Sequence, residues 1–302
     1  MAAMVAALQG FSAGAWWQPQ RQQMRISGAP LRMGLMPAYR GAGRRVLSLK
    51  AVVVAPDNPA RGLDSHQGAV LLHDGEDGQL VAVVDATSIT AIRTAAVSAV
   101  ATRALARRDV GRIAVLGTGA QARSHVAAMR AVFPAAEIAL WGRSFARAEA
   151  LADEVGGEAC ATVARAVADA GVICTVTAAA EPILDAAMVG PGCHINAAGA
   201  SSAGAREIAA DLVSASARFV DSRVQAAVEC GEFLLAVRDG AMAADAPCTE
   251  LGEVLLGAHP GRANAKEITL FKSLGLGVED LAAAELVVDL AAKRGLGAHV
   301  QW

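Results

Sequence analysis

Six residues between two apolar stretches, Gly117-Thr118-Gly119-Ala120-Gln121-Ala122, have the types and spacing that hold a pyrophosphate. They follow Ile113-Ala114-Val115-Leu116, which reads as a strand, and they open a helical pattern that runs to Val132. In that setting Gly117 permits a tight turn, Gly119 lets the backbone approach a phosphate, and Ala122 allows close helix–strand packing. Thr118, Ala120 and Gln121 complete the turn, where the first N–H groups of the helix point at an anion. A bare GxGxxG-type match is common, and the strand–turn–helix context gives this one its weight. The position that selects the dinucleotide lies at the end of the next strand, in Trp141-Gly142-Arg143-Ser144. No carboxylate stands there for a ribose 2′-hydroxyl. Arg143 can pair with a 2′-phosphate and Ser144 can hydrogen-bond to it, so the expected cofactor is NADP(H) in preference to NAD(H).

A nicotinamide cofactor carries its own chemistry, so the chain needs no nucleophile and no metal. No HExxH or clustered Cys/His pattern occurs, and the GxSxG match at Gly10-Phe11-Ser12-Ala13-Gly14 follows a helical stretch and not the strand that a nucleophile elbow needs. The protein has to add a cationic clamp for a substrate and a source of protons. Lys50 interrupts an otherwise apolar strand run, and Arg93 sits in an early helical turn among small residues, where a charge needs an anionic partner. Arg21 is a third basic candidate.

These residues need elements to position them. Residues 1–10 read as a helix, followed by strand-like pieces at 46–49 and 52–55, a Pro/Gly turn at 56–62, and strands at 68–73 and 80–85. The last two are separated by Asp-Gly turn signals, which predicts an antiparallel sheet. A helix is expected from Ser88 to about Arg108. Beyond Gly111, strands at 113–116, 138–141, 172–177, 194–198 and 219–221 alternate with helices at about 120–132, 145–155, 162–170 and 205–214. Their unbroken apolar runs predict a parallel sheet covered on both faces. A last amphipathic helix is expected at about 278–293, placed back on the first domain.

Composition bounds the function. At 302 residues and 54% hydrophobic content the chain is long enough for two domains. A formal charge of −2 gives no long-range attraction to nucleic acid or to an anionic membrane, so neither partner is expected. Charges or glycines break each apolar stretch before it reaches a bilayer-spanning length. Five scattered cysteines read as buried thiols, and with no basic-flanked apolar leader the default location is cytoplasmic.

The segments Ser88-Ile89-Thr90-Ala91-Ile92-Arg93-Thr94-Ala95-Ala96 and Gly117-Thr118-Gly119-Ala120-Gln121-Ala122 resemble the ornithine cyclodeaminase/mu-crystallin family. The resemblance continues through Val172-Ile173-Cys174-Thr175-Val176-Thr177, His194-Ile195-Asn196-Ala197-Ala198-Gly199-Ala200, Phe219-Val220-Asp221-Ser222-Arg223 and Thr269-Leu270-Phe271-Lys272-Ser273-Leu274-Gly275, and so covers nearly the whole chain. It implies an α/β fold: a Rossmann-type NAD(P)-binding domain with a parallel sheet at 109–276, and an α+β substrate-binding and dimerisation domain at 1–108 with 277–302. It implies a homodimer and a small carboxylate-bearing amino or imino acid as substrate. It places the carboxylate-binding and catalytic residues at Arg21, Lys50 and Arg93, and the cofactor contacts also at Thr94, Thr177, Asn196, Gly199 and Ser273. Asp221 is expected to support the site structurally.

The resemblance covers reductases of cyclic ketimines such as 1-piperideine-2-carboxylate and 1-pyrroline-2-carboxylate, ornithine cyclodeaminases, alanine dehydrogenases, and a non-catalytic NADPH-binding crystallin role. One departure discriminates among them. Where the cyclodeaminases carry an aspartate that handles a substrate proton, this chain reads Gly199-Ala200-Ser201-Ser202, and a serine is no carboxylate base near neutral pH. With Arg143, this leans toward an NADPH-using ketimine reductase. The chain also starts inside its first helix, as a shortened N-terminus would.

Overall fold

Short alternating segments build an antiparallel sheet in the first third of the chain. The computed structural model describes residues 1–41 and 43–300, so the last two positions of the expected 277–302 segment lie outside the described residues. The elements are α1 (Ala2–Ser12), β1 (Trp16–Trp17), β2 (Gln22–Arg25), β3 (Arg32–Arg40), β4 (Val46–Val54), β5 (His66–Asp74) and β6 (Leu80–Asp85). The strand order is β1-β3-β4-β5-β6 with β2 also on β3, and each pair is antiparallel. The two pieces expected at 46–49 and 52–55 are one continuous strand. Lys50 does not end it, because alternation puts Lys50 with Val46, Ser48 and Val52 on the buried face. On the other edge of β3, β2 pairs with residues 32–35 and β1 with Tyr39 and Arg40. Pro37, which lacks an N–H for the ladder, falls in the gap between them.

The helix α2 (Ala86–Leu105) starts two residues earlier than expected and ends three earlier. Asp85, the last residue of β6, accepts from the Thr87 and Ser88 N–H groups at 3.3 and 2.7 Å, which fixes the start.

The strand–helix alternation then runs through β7 (Arg112–Leu116), α3 (Ala120–Val132), β8 (Glu137–Trp141), α4 (Phe145–Val155), β9 (Glu158–Ala159), α5 (Val163–Val167), β10 (Val172–Thr175), β11 (His194–Ala197), α6 (Ala210–Ala215) and β12 (Ala217–Val220). It ends with α7 (Arg223–Glu229), α8 (Gly231–Arg238), β13 (Thr249–Glu250), α9 (Leu251–Leu255), β14 (Thr269–Lys272) and α10 (Gly277–Arg294). The parallel sheet has the order β13-β12-β14-β11-β10-β7-β8-β9. Alternate residues of its strands feed two apolar layers. Leu116, Ile173, Ile195 and Leu270 enter one; Ile113, Val115, Ile138 and Val172 enter the other. Strand β14, unexpected from sequence, lies inside the sheet between β11 and β12. The helix expected at 205–214 is confined to Ala210–Ala215, and α5 to Val163–Val167 behind its cap Thr162.

Contacts divide the chain into two units, one of Ala2–Arg93 with the segment from Leu276 onward, the other of Thr94–Gly275 with Met1. Within the first unit α10 packs on α1, β3, β4 and β5.

Candidate active site

In the parallel-sheet unit the strand order reverses at β7, which has β8 on one side and β10 on the other; ligands of open α/β sheets bind at such switch points. The glycine turn lies there, between β7 and α3. Gly117 has φ +140, and a Cβ on it would stand 2.7 Å from the Val176 carbonyl oxygen, so both conformation and space demand glycine. Gly119 caps α3 with open space where a side chain would stand, and among the described residues no side chain caps this helix end. Ala122 is fully buried against the sheet. These features leave a backbone cradle at a positive helix end, which fits a dinucleotide pyrophosphate. At the end of β8, Arg143 is exposed, and Ser144 caps α4 by accepting from the Arg147 N–H at 3.4 Å.

The loops after β10 and β11 are tied to one buried carboxylate that sequence reasoning missed. Glu207 accepts from the Thr175 hydroxyl (2.8 Å), the Thr177 N–H and hydroxyl (both 2.7 Å), and the Gly199 and Ala200 N–H groups (2.8 and 3.3 Å). Thr177 and Gly199 are thereby brought together. Asn196 is fully buried, and its side chain faces inward, donating to Thr102 Oγ1 at 2.8 Å and accepting from His194 at 3.2 Å. The Ser273 hydroxyl is buried with no hydrogen-bond partner among the described residues, an uncompensated donor of the kind a ligand satisfies. Asp221 supports this segment as expected: its carboxylate accepts from the N–H groups of Leu274 and Gly275 at 2.6 and 2.7 Å. Buried Lys272 pairs with Glu232 at 3.0 Å and donates to the Ala200 carbonyl. Burial alone would lower the Lys272 pKa, but Glu232, Cys230 and Glu207 together outweigh it and hold it above the usual value.

In the antiparallel-sheet unit, Lys50 and Arg93 meet on one carboxylate. Lys50 Nζ lies 3.1 Å and Arg93 Nε 2.9 Å from Asp280 Oδ1, and Arg93 Nη1 lies 2.9 Å from Glu279. All four side chains are at most 6% exposed. Strand alternation points Lys50 to the face that α10 covers, and the first turn of α10 presents both acids. Burial lowers the Lys50 pKa; Asp280 opposes this and Arg93 adds to it, with the result about 8. The charge of Arg21 adds a last, smaller lowering. Asp280 Oδ2 is buried without a partner among the described residues. Thr94 follows Arg93 on α2 and is buried. Glu279 and Asp280 were not singled out from sequence, although two acids in a buried helical turn among apolar residues are a signal in themselves.

Sheet order, glycine turn and open helix end define a dinucleotide-binding α/β protein. The chain belongs to the ornithine cyclodeaminase/mu-crystallin family, whose profile matches residues 1–295. It is 42% identical over 289 residues to the mouse ketimine reductase mu-crystallin, covering 94% of this chain and 89% of that one. Among solved structures it is similar to the Δ1-pyrroline-2-carboxylate reductase of Thermococcus litoralis in complex with NADH and L-proline, with a TM-score of 0.94, 30% identity, and 99% and 94% of the two chains covered. It is also similar to an archaeal alanine dehydrogenase dimer with bound NAD, with a TM-score of 0.91, 28% identity, and 100% and 93% covered. No helix among the described residues is long and apolar enough to cross a membrane.

Proposed function

We propose that this chain reduces the C=N bond of a small cyclic ketimine carboxylate, 1-piperideine-2-carboxylate or 1-pyrroline-2-carboxylate, with NADPH, and works as a homodimer. The observation that carries the reading is the buried Lys50–Asp280–Arg93 cluster, two cations converging on one carboxylate oxygen. Overall, imine, NADPH and one proton give the cyclic amino acid and NADP⁺. When bound, the reduced dinucleotide supplies two electrons and one hydrogen to the imine carbon. Arg93 binds the substrate carboxylate with Arg21, a task that suits a planar guanidinium, and Glu279 and Asp280 fix its orientation. Lys50, with a pKa of about 8, is protonated at neutral pH and close enough to that pH to give its proton to the imine nitrogen. Asp280 Oδ2 accepts from the N–H so formed. Ser201 offers no carboxylate to process an ornithine amine, which favours reduction over cyclodeamination.

The solved relatives above hold NADH or NAD, so the choice of NADPH rests on Arg143. Following absorbance at 340 nm with the two ketimines tests the reading. NADPH oxidation is expected, and Arg93→Ala should lower kcat/KM at least a hundredfold, since an arginine–carboxylate pair contributes about 2–3 kcal/mol or more. Circular dichroism of that variant checks that the loss is not unfolding. Ornithine yielding proline and ammonia, with no ketimine-dependent oxidation, would overturn the proposal. In the same assay Arg143→Ala should raise the KM for NADPH about tenfold or more while leaving NADH turnover in place; equal effects on both would remove the case for the 2′-phosphate.

A further inference from the structure

The end of β8 carries a demand for glycine that backbone conformation does not explain. Gly142 is the first residue after that strand, and its φ lies outside the left-handed region that favours glycine. Its conformation is therefore open to other residues. Space is what excludes them: a Cβ on Gly142 would stand 2.6 Å from Thr118 Cγ2 and 3.3 Å from Thr118 Oγ1. Carbon atoms in optimal contact are about 3.5–4.0 Å apart, so the Thr118 methyl blocks any side chain at 142. Rotation about the Thr118 χ1 gives little relief, since it brings either the hydroxyl to the nearer position or the methyl to the farther one.

The turn that carries Thr118 is held from two sides. Leu116 and Trp141 are opposed on β7 and β8, and the Gly117 N–H donates to the Trp141 carbonyl at 2.7 Å. On the β10 side, Gly117 approaches Val176 so closely that a Cβ would stand 2.7 Å from the Val176 carbonyl oxygen. The backbone at 117–118 has no room to retreat from β8, and Thr118 and Gly142 fit only as a pair. Position 142 matters because of where it falls. In NAD-binding domains of this architecture an acid about 20 residues beyond the glycine turn accepts from the ribose 2′-hydroxyl. Gly142 stands about 20 residues beyond Ala122 and directly follows β8. The two residues after it, Arg143 and Ser144, are exposed.

We propose that Thr118 and Gly142 are a cofactor-selecting pair: the Thr118 side chain fills the space in which an acid for an unphosphorylated ribose would start, and leaves the 2′ position to Arg143 and Ser144. The proposal rests on the reading that this turn holds the dinucleotide. The backbone of the turn faces a pyrophosphate that NADH and NADPH share, so it does not choose between them. The Thr118 side chain does, by deciding what residue 142 can be.

The test is a double-mutant cycle, Gly142→Asp in the wild-type and in the Thr118→Ala backgrounds, read as the Kd for NADH and for NADPH from cofactor fluorescence. Thr118→Ala removes both γ atoms and keeps the Cβ, which a Cβ at 142 would meet at an ordinary 3.5 Å. In the wild-type background Gly142→Asp should weaken NADH binding about tenfold, through overpacking at the turn. In the Thr118→Ala background the same substitution should tighten NADH about tenfold and weaken NADPH, because the carboxylate accepts from a ribose hydroxyl and repels a 2′-phosphate. An effect on NADH that is the same in both backgrounds to within about threefold would overturn the proposal, as would a Gly142→Asp protein that binds NADH more tightly than the wild type. Gly142→Ala keeps the test decisive if the aspartate variant does not fold. It should lower the melting temperature of the cofactor-free protein by about 3 °C or more in the wild-type background and by less than about 1 °C in the Thr118→Ala background, and equal losses would overturn the pair. No imine enters these measurements, so failure of the reductase reading appears separately, as absent NADPH oxidation with the ketimines. A wild type that prefers NADH would remove the case for Arg143, while the coupling between the two substitutions still decides the pair.

Discussion

Lys50 gives the proposed chemistry its pH dependence. Burial and Arg93 lower its pKa, Asp280 opposes them, and the value of about 8 compares with an ordinary 10.5. In the free enzyme kcat/KM for ketimine reduction should therefore fall about tenfold per unit as pH rises above 8, because Lys50 then has no proton to give. Stability moves the other way. Between pH 8 and 10.5 the unfolded chain holds more protons at this position than the folded one, so the Lys50 contribution to stability grows with pH through that window. Activity lost above pH 8 is thus expected while the melting temperature shows no loss traceable to Lys50. Lys50→Arg, whose guanidinium keeps its charge but cannot give up a proton, should lower kcat/KM sharply and leave the residual activity without the alkaline limb. A limb that persists in that variant assigns the titration to another group.

At the scale of elements, the loops after β10 and β11 depend on Glu207. Its carboxylate receives five donors, three of them backbone N–H groups, from residues 175–177 and 199–200. Glu207→Gln keeps the shape but turns an NH₂ group toward those donors, leaving at least one of them buried and unpaired at a cost of about 1–3 kcal/mol. The expected outcome is a lower melting temperature and a Kd for NADPH, read from cofactor fluorescence, raised about tenfold, with the Lys50 limb of the pH profile unmoved. An unchanged cofactor Kd would separate Glu207 from the cofactor loops. Elements whose local signals agree were legible in the sequence: α3 and α4 have the predicted bounds because a strand, a glycine turn or a serine cap, and a helical period all coincide. Strand β14 was not, because it is four residues long and ends in Lys272, a charge made tolerable by Glu232 on α8 and by the Ala200 carbonyl. Glu279 and Asp280 were passed over for a related reason. Acids in a first helical turn ordinarily complement the helix dipole, and their other task appears only when folding brings Arg93 and Lys50 to Asp280 across 187 and 230 residues of chain. The nearby clamp residues were visible from sequence because each is a charge in an apolar or small-residue setting; their counterions were not.

At the scale of the whole molecule, the antiparallel sheet has one face covered by α10 and another that is apolar and open. Leu47, Val81 and Val83 are 44%, 43% and 51% exposed. Leu49, Leu71 and Val83 pair in one apolar row across β4, β5 and β6, and Leu47 and Val81 stand two residues along the same face from Leu49 and Val83. Such a patch on a sheet face is a surface for self-association, and a twofold interface uses the same patch on both copies. Burying one valine contributes roughly 1.5–3 kcal/mol, and it does so twice in such a pair. Val83→Glu should therefore weaken the homodimer about a thousandfold or more, through lost burial and the cost of an unpaired buried charge. Because Val83 is half-exposed in the single chain, the fold should withstand the change. Light scattering after size exclusion reads the result. The wild type is expected near twice 30.7 kDa and the variant near 30.7 kDa at micromolar concentration. A variant that keeps the doubled mass would move the interface to another face, whereas a wild type of 30.7 kDa would end the homodimer proposal and leave this face for a different partner.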